Sequence, residues 1–166
     1  MQQFQQALIG STSSTRNIIA YLADEDRREH WQKQSKNFES SKLIFQALLQ
    51  TPEAESHHWW YAWLGFCLKD QSDPDYSQAK NNLDRAIELR NKIGPDARSG
   101  AYEFNRAYVS IKMENLASAK GLQEQINKDL EAASRFPRWK EIIDSDPTIQ
   151  EWRKICSREN ELTSRP

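Results

Sequence analysis

The chain has little of what loops are made from. Five glycines and six prolines in 166 residues leave few places to break a helix or turn tightly, so long regular elements with short connections are expected. Two cysteines, Cys67 and Cys156, cannot form a disulfide framework; with Cys67 inside an apolar stripe, they fit reduced thiols in a cytoplasmic protein. No apolar run approaches a bilayer span, and the start, MQQFQQALIG, lacks the basic opening and long apolar core of a signal peptide. The expectation is a soluble cytoplasmic protein with no membrane association. An excess of either charge is also missing: 23 basic and 24 acidic residues give a net charge of -1, mixed along the chain. That leaves no polybasic field for phosphates and no acidic tail. Nucleic acid is therefore a poor fit as a partner.

Catalytic groupings are equally thin. His30, His57 and His58 are the only histidines; the last two are adjacent, point in different directions on a helix, and have no second ligand at i+4, so no metal site is expected. There is no glycine-rich phosphate loop and no G-x-S-x-G. Asp24, Glu25 and Asp26, or Asp144 and Asp146, read as exposed or capping carboxylates rather than an acid and base with opposed environments. Cys67 reads as a buried, inert thiol. No catalysis and no cofactor are expected.

What is present is core material for a helical protein. Six Trp, six Phe and five Tyr accompany 28% charged residues and a mean hydropathy of -0.89, a polar exterior around enough apolar surface. A chain of this length suits one domain that buries roughly 70% of its unfolded surface. A single helical domain is expected over 1–156, with a frayed tail over 157–166.

The clearest stretch is Trp59–Leu89. Trp60, Trp63, Leu64, Cys67 and Leu68 recur at three- and four-residue steps, and Ala79, Leu83, Ala86, Ile87 and Arg90 repeat the rhythm after a turn. The spacing predicts two amphipathic helices. Gly65, costing about 1 kcal/mol against Ala in a helix, implies close approach of a neighbouring backbone. Pro74 ends the first helix and Asp75 caps the second. Before this pair, Phe4, Ala7, Leu8 and Ile9 mark a short helical turn, and the Ser11–Thr15 run caps the next helix. That helix, from Arg16 to about Lys33, carries Ile18, Ile19, Leu22, His30 and Trp31, with the charged run Asp24–Glu29 as a solvated face. Phe38–Gln50 is a helix lined by Phe38, Ser41, Phe45 and Leu48. Thr51 and Pro52 close it and open the next.

After the pair, Gly94 ends a helix in the left-handed conformation and Pro95–Asp96 restart the chain. Ala101, Phe104, Ala107, Tyr108 and Ile111 predict a helix ending at Asn115; Leu116, Ala119, Leu122, Ile126, Leu130 and Ala133 predict its partner. Pro137 and Pro147 open two short helices with Trp139, Ile142, Ile143, Ile149, Trp152 and Ile155 on their apolar sides.

Read as Tyr61-x2-Leu64-Gly65-x2-Leu68 and then Ala79-x3-Leu83-x2-Ala86, the central pair resembles a tetratricopeptide repeat, with W-x2-L-G-x2-Y followed by A-x3-F. Ser41-x3-Phe45-x2-Leu48 resembles a second-helix half, and the Ala107 and Ala119 pair a third repeat, with Arg106 where the pattern has Leu. The resemblance covers about Phe38 to Ala133. It implies an all-α fold: an α-solenoid of about three such hairpins with a C-terminal capping helix.

It also implies a function. In this family the first helix of each pair lines a concave groove for a peptide or partner helix. The matching positions are Trp59, Ala62, Phe66 and Lys69, then Ala101, Phe104, Tyr108, Ile111 and Lys112. The family's carboxylate clamp is not matched, because Ala62 and Phe66 stand where polar donors are needed. The expected job is a protein-protein interaction adapter or scaffold, chaperone-like in one version, with a homodimer as a further arrangement. The alternative is a helical-repeat RNA-binding protein whose rings stack bases.

Overall fold

The computed structural model describes residues 2–94, 100–113 and 120–163. Among them every regular element is helical, so the fold class is all-α. The α-helices are α1 (Gln2–Ile9), α2 (Ser13–Gln32), α3 (Glu39–Leu48), α4 (His58–Asp70), α5 (Tyr76–Ile93), α6 (Ala101–Met113), α7 (Lys120–Ser134), α8 (Pro137–Ser145) and α9 (Pro147–Thr163), with a single 3-10 turn at Ala54–Ser56. The chain forms two compact units, Met1–Pro95 and Asp96–Pro166. Among the described residues no helix is long and apolar enough to cross a membrane. The expected restart at Pro95–Asp96, the helix end at Asn115, and Leu116 and Ala119 lie outside the described residues.

In the first unit α4 packs on α5, and α3 packs on both α2 and α4. The α4 stripe is buried as its spacing requires: Trp60 and Cys67 are fully enclosed, with Leu64 and Leu68 beside them, while Trp63 lies 5.6 Å from the Phe45 ring of α3. Across the crossing, Ala79, Leu83, Ala86, Ile87 and Arg90 of α5 are buried. Gly65 sits directly against α5; a Cβ there would stand 3.0 Å from Leu83 Cγ and 3.2 Å from the Ala79 carbonyl oxygen. Asp75 caps α5, its Oδ1 accepting from the Gln78 amide at 2.9 Å. Gly94 ends that helix at φ 127° and ψ 177°. The positive φ favours glycine, although the extended ψ differs from the left-handed helical conformation expected.

The N-terminal part of this unit is held by Arg16, which is almost wholly buried. Its Nη1 donates to the carbonyls of Ile9 (3.0 Å) and Ser11, and its Nε pairs with Glu53. The guanidinium's hydrogen bond holds the Glu53 carboxyl below the usual carboxylate range. Thr12 caps α2, its Oγ1 accepting from the Thr15 amide at 3.2 Å.

Two expectations are corrected here. Thr51 and Pro52 do not open α4: the Thr51 hydroxyl bonds back to the Leu48 carbonyl at 2.7 Å, a 3-10 turn follows, and α4 begins at His58. And α2 does not bury the apolar residues that marked it. Ile18, Leu22 and Trp31 are exposed, whereas Arg16, Ala20, Ala23 and Asp24 are buried. The small residues let α2 approach α3, and Asp24 can accompany them because its charge is neutralised on its own helix. Arg27 donates to Asp24 Oδ1 at 2.9 Å (Nε) and 2.6 Å (Nη2). Arg28 Nε lies 2.7 Å from Oδ2, as an ion pair that is not aligned as a hydrogen bond. Within the run Asp24–Glu29, Asp24 and Arg27 are withdrawn from solvent, while Glu25, Asp26, Arg28 and Glu29 reach it.

In the second unit Phe104, Ala107 and Ile111 of α6 meet Ile126, Leu130 and Ala133 of α7, and α8 and α9 close the cluster with Ile143, Ile149 and Trp152. Pro137 and Pro147 each stand in the first turn of their helix, where a missing amide costs nothing. Beyond Cys156, α9 continues as helix to Thr163. Arg106 forms a bidentate pair with Asp129 of α7, at 2.8 Å (Nε to Oδ2) and 2.6 Å (Nη2 to Oδ1). Burial nonetheless raises the Asp129 carboxyl above its usual range, with the Arg106 bonds opposing.

Gly65→Ala should gain helix propensity but force Leu83 and the α5 backbone aside, for a net loss of about 1–2 kcal/mol in urea unfolding. Arg106→Leu restores the residue of the repeat pattern yet leaves the buried Asp129 carboxylate with Gln125, and is expected to cost about 3–5 kcal/mol. Arg106→Leu combined with Asp129→Leu should recover most of that loss in the same assay.

Candidate functional site

The candidate residues fall on two helices, α4 in the first unit and α6 in the second. On α4, one face is consumed by packing against α5 and α3. Trp59 and Phe66 occupy other sides and are half-buried.

Trp59 belongs to an aromatic and histidine cluster at the start of α4. His57, the residue that precedes the first helical turn, lies 4.8 Å from the Trp59 ring and 4.2 Å from the Trp60 ring. The His58 ring meets Trp59 edge-on at 5.1 Å. His57 Nδ1 is buried without a hydrogen-bond partner, so a proton added there would be a buried, unsatisfied donor. A cation is also disfavoured at the positive end of a helix. Burial holds both imidazoles below the ordinary histidine range; Glu53 opposes this at His57, and Arg90 reinforces it at His58.

Phe66 is not an open ring. The Arg27 guanidinium of α2 lies over it, 5.1 Å from the centroid, so a cation–π contact already occupies one face. Lys69 is largely buried and bonds to the neighbouring Asp70 carboxylate. Ala62 has no exposed surface and offers nothing to a ligand.

On α6 the division is similar. Phe104 is 8% exposed and stacks on Trp139 of α8 at 4.7 Å; Ile111 is buried in the same core. Tyr108 is half-buried, and the exposed Lys112 places its ammonium 5.6 Å above the ring. Ala101 is half-buried at the helix start. Ala62, Phe104 and Ile111 are thus core residues, and Trp59, Tyr108 and Lys112 remain accessible. The burial of Phe104 and Ile111 follows from α8 and α9, whose side chains reach the α6 face that the repeat pattern assigns to a groove.

Cys67 is fully enclosed, and burial pushes its thiol up to about 12, which keeps it protonated and unreactive at neutral pH. Among the described residues no group of three His, Cys, Asp or Glu side chains is placed to hold a metal ion.

Sequence reasoning missed the Arg27 cover on Phe66. The usable signal was Ala20, Ala23, Asp24 and Arg27 at i, i+3, i+4 and i+7, a continuous helix face of small and mutually neutralising residues. Comparison with protein-family models, curated proteins and solved structures finds no match for the chain.

The two lowered histidines have a sign that can be checked. Each is neutral in the folded chain at a pH where the unfolded chain is already protonated. Their contribution is therefore present above the ordinary histidine range and lost as pH falls through it. The drop in denaturation midpoint between pH 7.5 and pH 5 should be smaller for His57→Gln, His58→Gln than for the wild type. An equal drop would show that neither imidazole is held neutral.

Proposed function

We propose that the chain is a protein-interaction adapter, a cytoplasmic helical-repeat scaffold without catalytic activity or cofactor, whose tetratricopeptide-like hairpins receive a peptide or partner helix. The observation that carries the reading is the position of Trp59 and of Tyr108 with Lys112. These are large rings at the surface of helices whose other faces are consumed by core packing. Rings of this kind bring much contact area with few rotatable bonds, and they recur as binding anchors. The close crossing at Gly65 supports the repeat-like reading of the α4–α5 hairpin, because a glycine at a helix-helix contact is what the first-helix pattern demands. The balanced charge favours hydrophobic anchoring over capture of a polyanion.

The reading is tested by affinity capture with the wild type and a Trp59→Ala, Tyr108→Ala variant, both checked for helix content by circular dichroism. A protein partner retained by the wild type and lost from the variant is expected, with weak dependence on salt. Equal retention by both removes the two rings as anchors. Recovery of RNA whose binding falls steeply with salt would replace the adapter by an RNA binder.

A further inference from the structure

The connection between α3 and α4 carries a histidine in a seat that suits only its neutral form. His57 follows the 3-10 turn Ala54–Ser56 and stands where a helix is capped, yet its side chain makes no capping bond to α4. Its ring lies instead against two indoles, 4.8 Å from Trp59 and 4.2 Å from Trp60 between centroids. Trp60 is wholly enclosed, and an indole N–H donates without accepting. Nδ1 of His57 is buried with no hydrogen-bond partner among the described residues. Protonation puts a hydrogen on both ring nitrogens, so the imidazolium carries a buried donor that the two indoles cannot satisfy.

The charged groups around this seat are committed elsewhere or add positive charge. Within the connection Glu53 faces His57 and favours the proton, but its carboxylate is held by Arg16 of α2. Glu55 accepts from Tyr61 and pairs with Arg85 of α5, which also pairs with Glu88. Arg90 of α5 faces His58 and opposes a proton there. On α3, Lys42 pairs with Glu39 and bonds Gln71, beyond the opposite end of α4. Asp24, Asp26 and Arg27 of α2 act on Cys67, more than two turns along the helix. The helix start is itself positive.

We propose that the α3–α4 connection is a pH-sensitive latch: a proton on His57 expels its ring from the two indoles and releases the turn Ala54–Ser56, while the α4–α5 crossing stays closed. The opening is local because the backbone bonds that shape the turn lie within the connection. The Ala54 amide donates to the Thr51 carbonyl (3.1 Å), Ser56 to Glu53 (2.8 Å) and His57 to Ala54 (3.0 Å). Gly65 and Leu83, where α4 meets α5, stand about two turns further on. Burial resists the proton on the seated ring, whereas a released ring takes it up in the ordinary histidine range. Opening therefore grows as pH falls through that range and reverses as pH rises. The latch acts on the chain alone, whatever Trp59 meets.

Hydrogen exchange of the full chain, read by mass spectrometry at pH 7.5 and pH 5.0 and corrected for the intrinsic rate of each segment, tests this. Protection over 50–59 should fall by about fivefold or more at the lower pH and return on going back, with protection over 79–90 unchanged. His57→Gln, which stays neutral, should show one level of protection over 50–59 at both pH values, and His58→Gln should still open. In the wild type the His57 ring resonances, followed by NMR, should titrate over the same pH span as the loss of protection. Equal protection of 50–59 at the two pH values, a loss shared by 79–90, a fall that persists in His57→Gln, or a His57 titration displaced from the loss overturns the latch.

Discussion

The first unit depends on how closely α4 and α5 can approach. Gly65 on one helix, and Ala79 and Ala86 on the other, remove the side-chain bulk that would hold the two backbones apart. What fills the space is Leu83, seated against the glycine. Everything else in the unit is placed relative to this pair: α3 lies on α4 through Phe45 and Trp63, and α2 lies on α3. Shape complementarity at a core crossing is sensitive to single methyl groups, so tolerance to substitution should be lowest here.

Most of this was legible from residue spacing. The 3.6-residue rhythm of Trp60, Leu64, Cys67 and Leu68, the small residues of α5, the Asp75 cap and the two proline-started C-terminal helices all appear where periodicity and capping chemistry place them. These are local signals, set by which residues tolerate a helix and which end one. The helix α2 was legible as a helix, but its packing face was not. The apolar residues that signalled it point outward, and the face that packs contains Arg16 and Asp24, two charges whose burial becomes possible only with partners at hand. For Asp24 these lie on the same helix. For Arg16 they are three carbonyls and a glutamate beyond α3, which no local pattern announces.

The candidate site was legible in part for a related reason. Trp59 and Tyr108 were identified by register, and register is a property of one helix. Whether a ring at that register is open depends on what arrives from elsewhere in the chain. Phe66 is covered by an arginine of α2, and Phe104 by a tryptophan of α8. Both covering residues come from other helices, which the register of α4 or α6 alone does not reveal.

The pairing of Asp24 with Arg27 and Arg28 has a consequence for assembly. Because the acid and its counter-ions are three and four residues apart, the charge is balanced as soon as α2 coils, before it meets any neighbour. Docking then buries a carboxylate whose counter-ions come with it, which avoids stripping water from Asp24 while its partners are still distant. The neighbours that receive α2 therefore owe Asp24 no counter-charge, whereas Arg16 on the same helix still needs Glu53 from beyond α3.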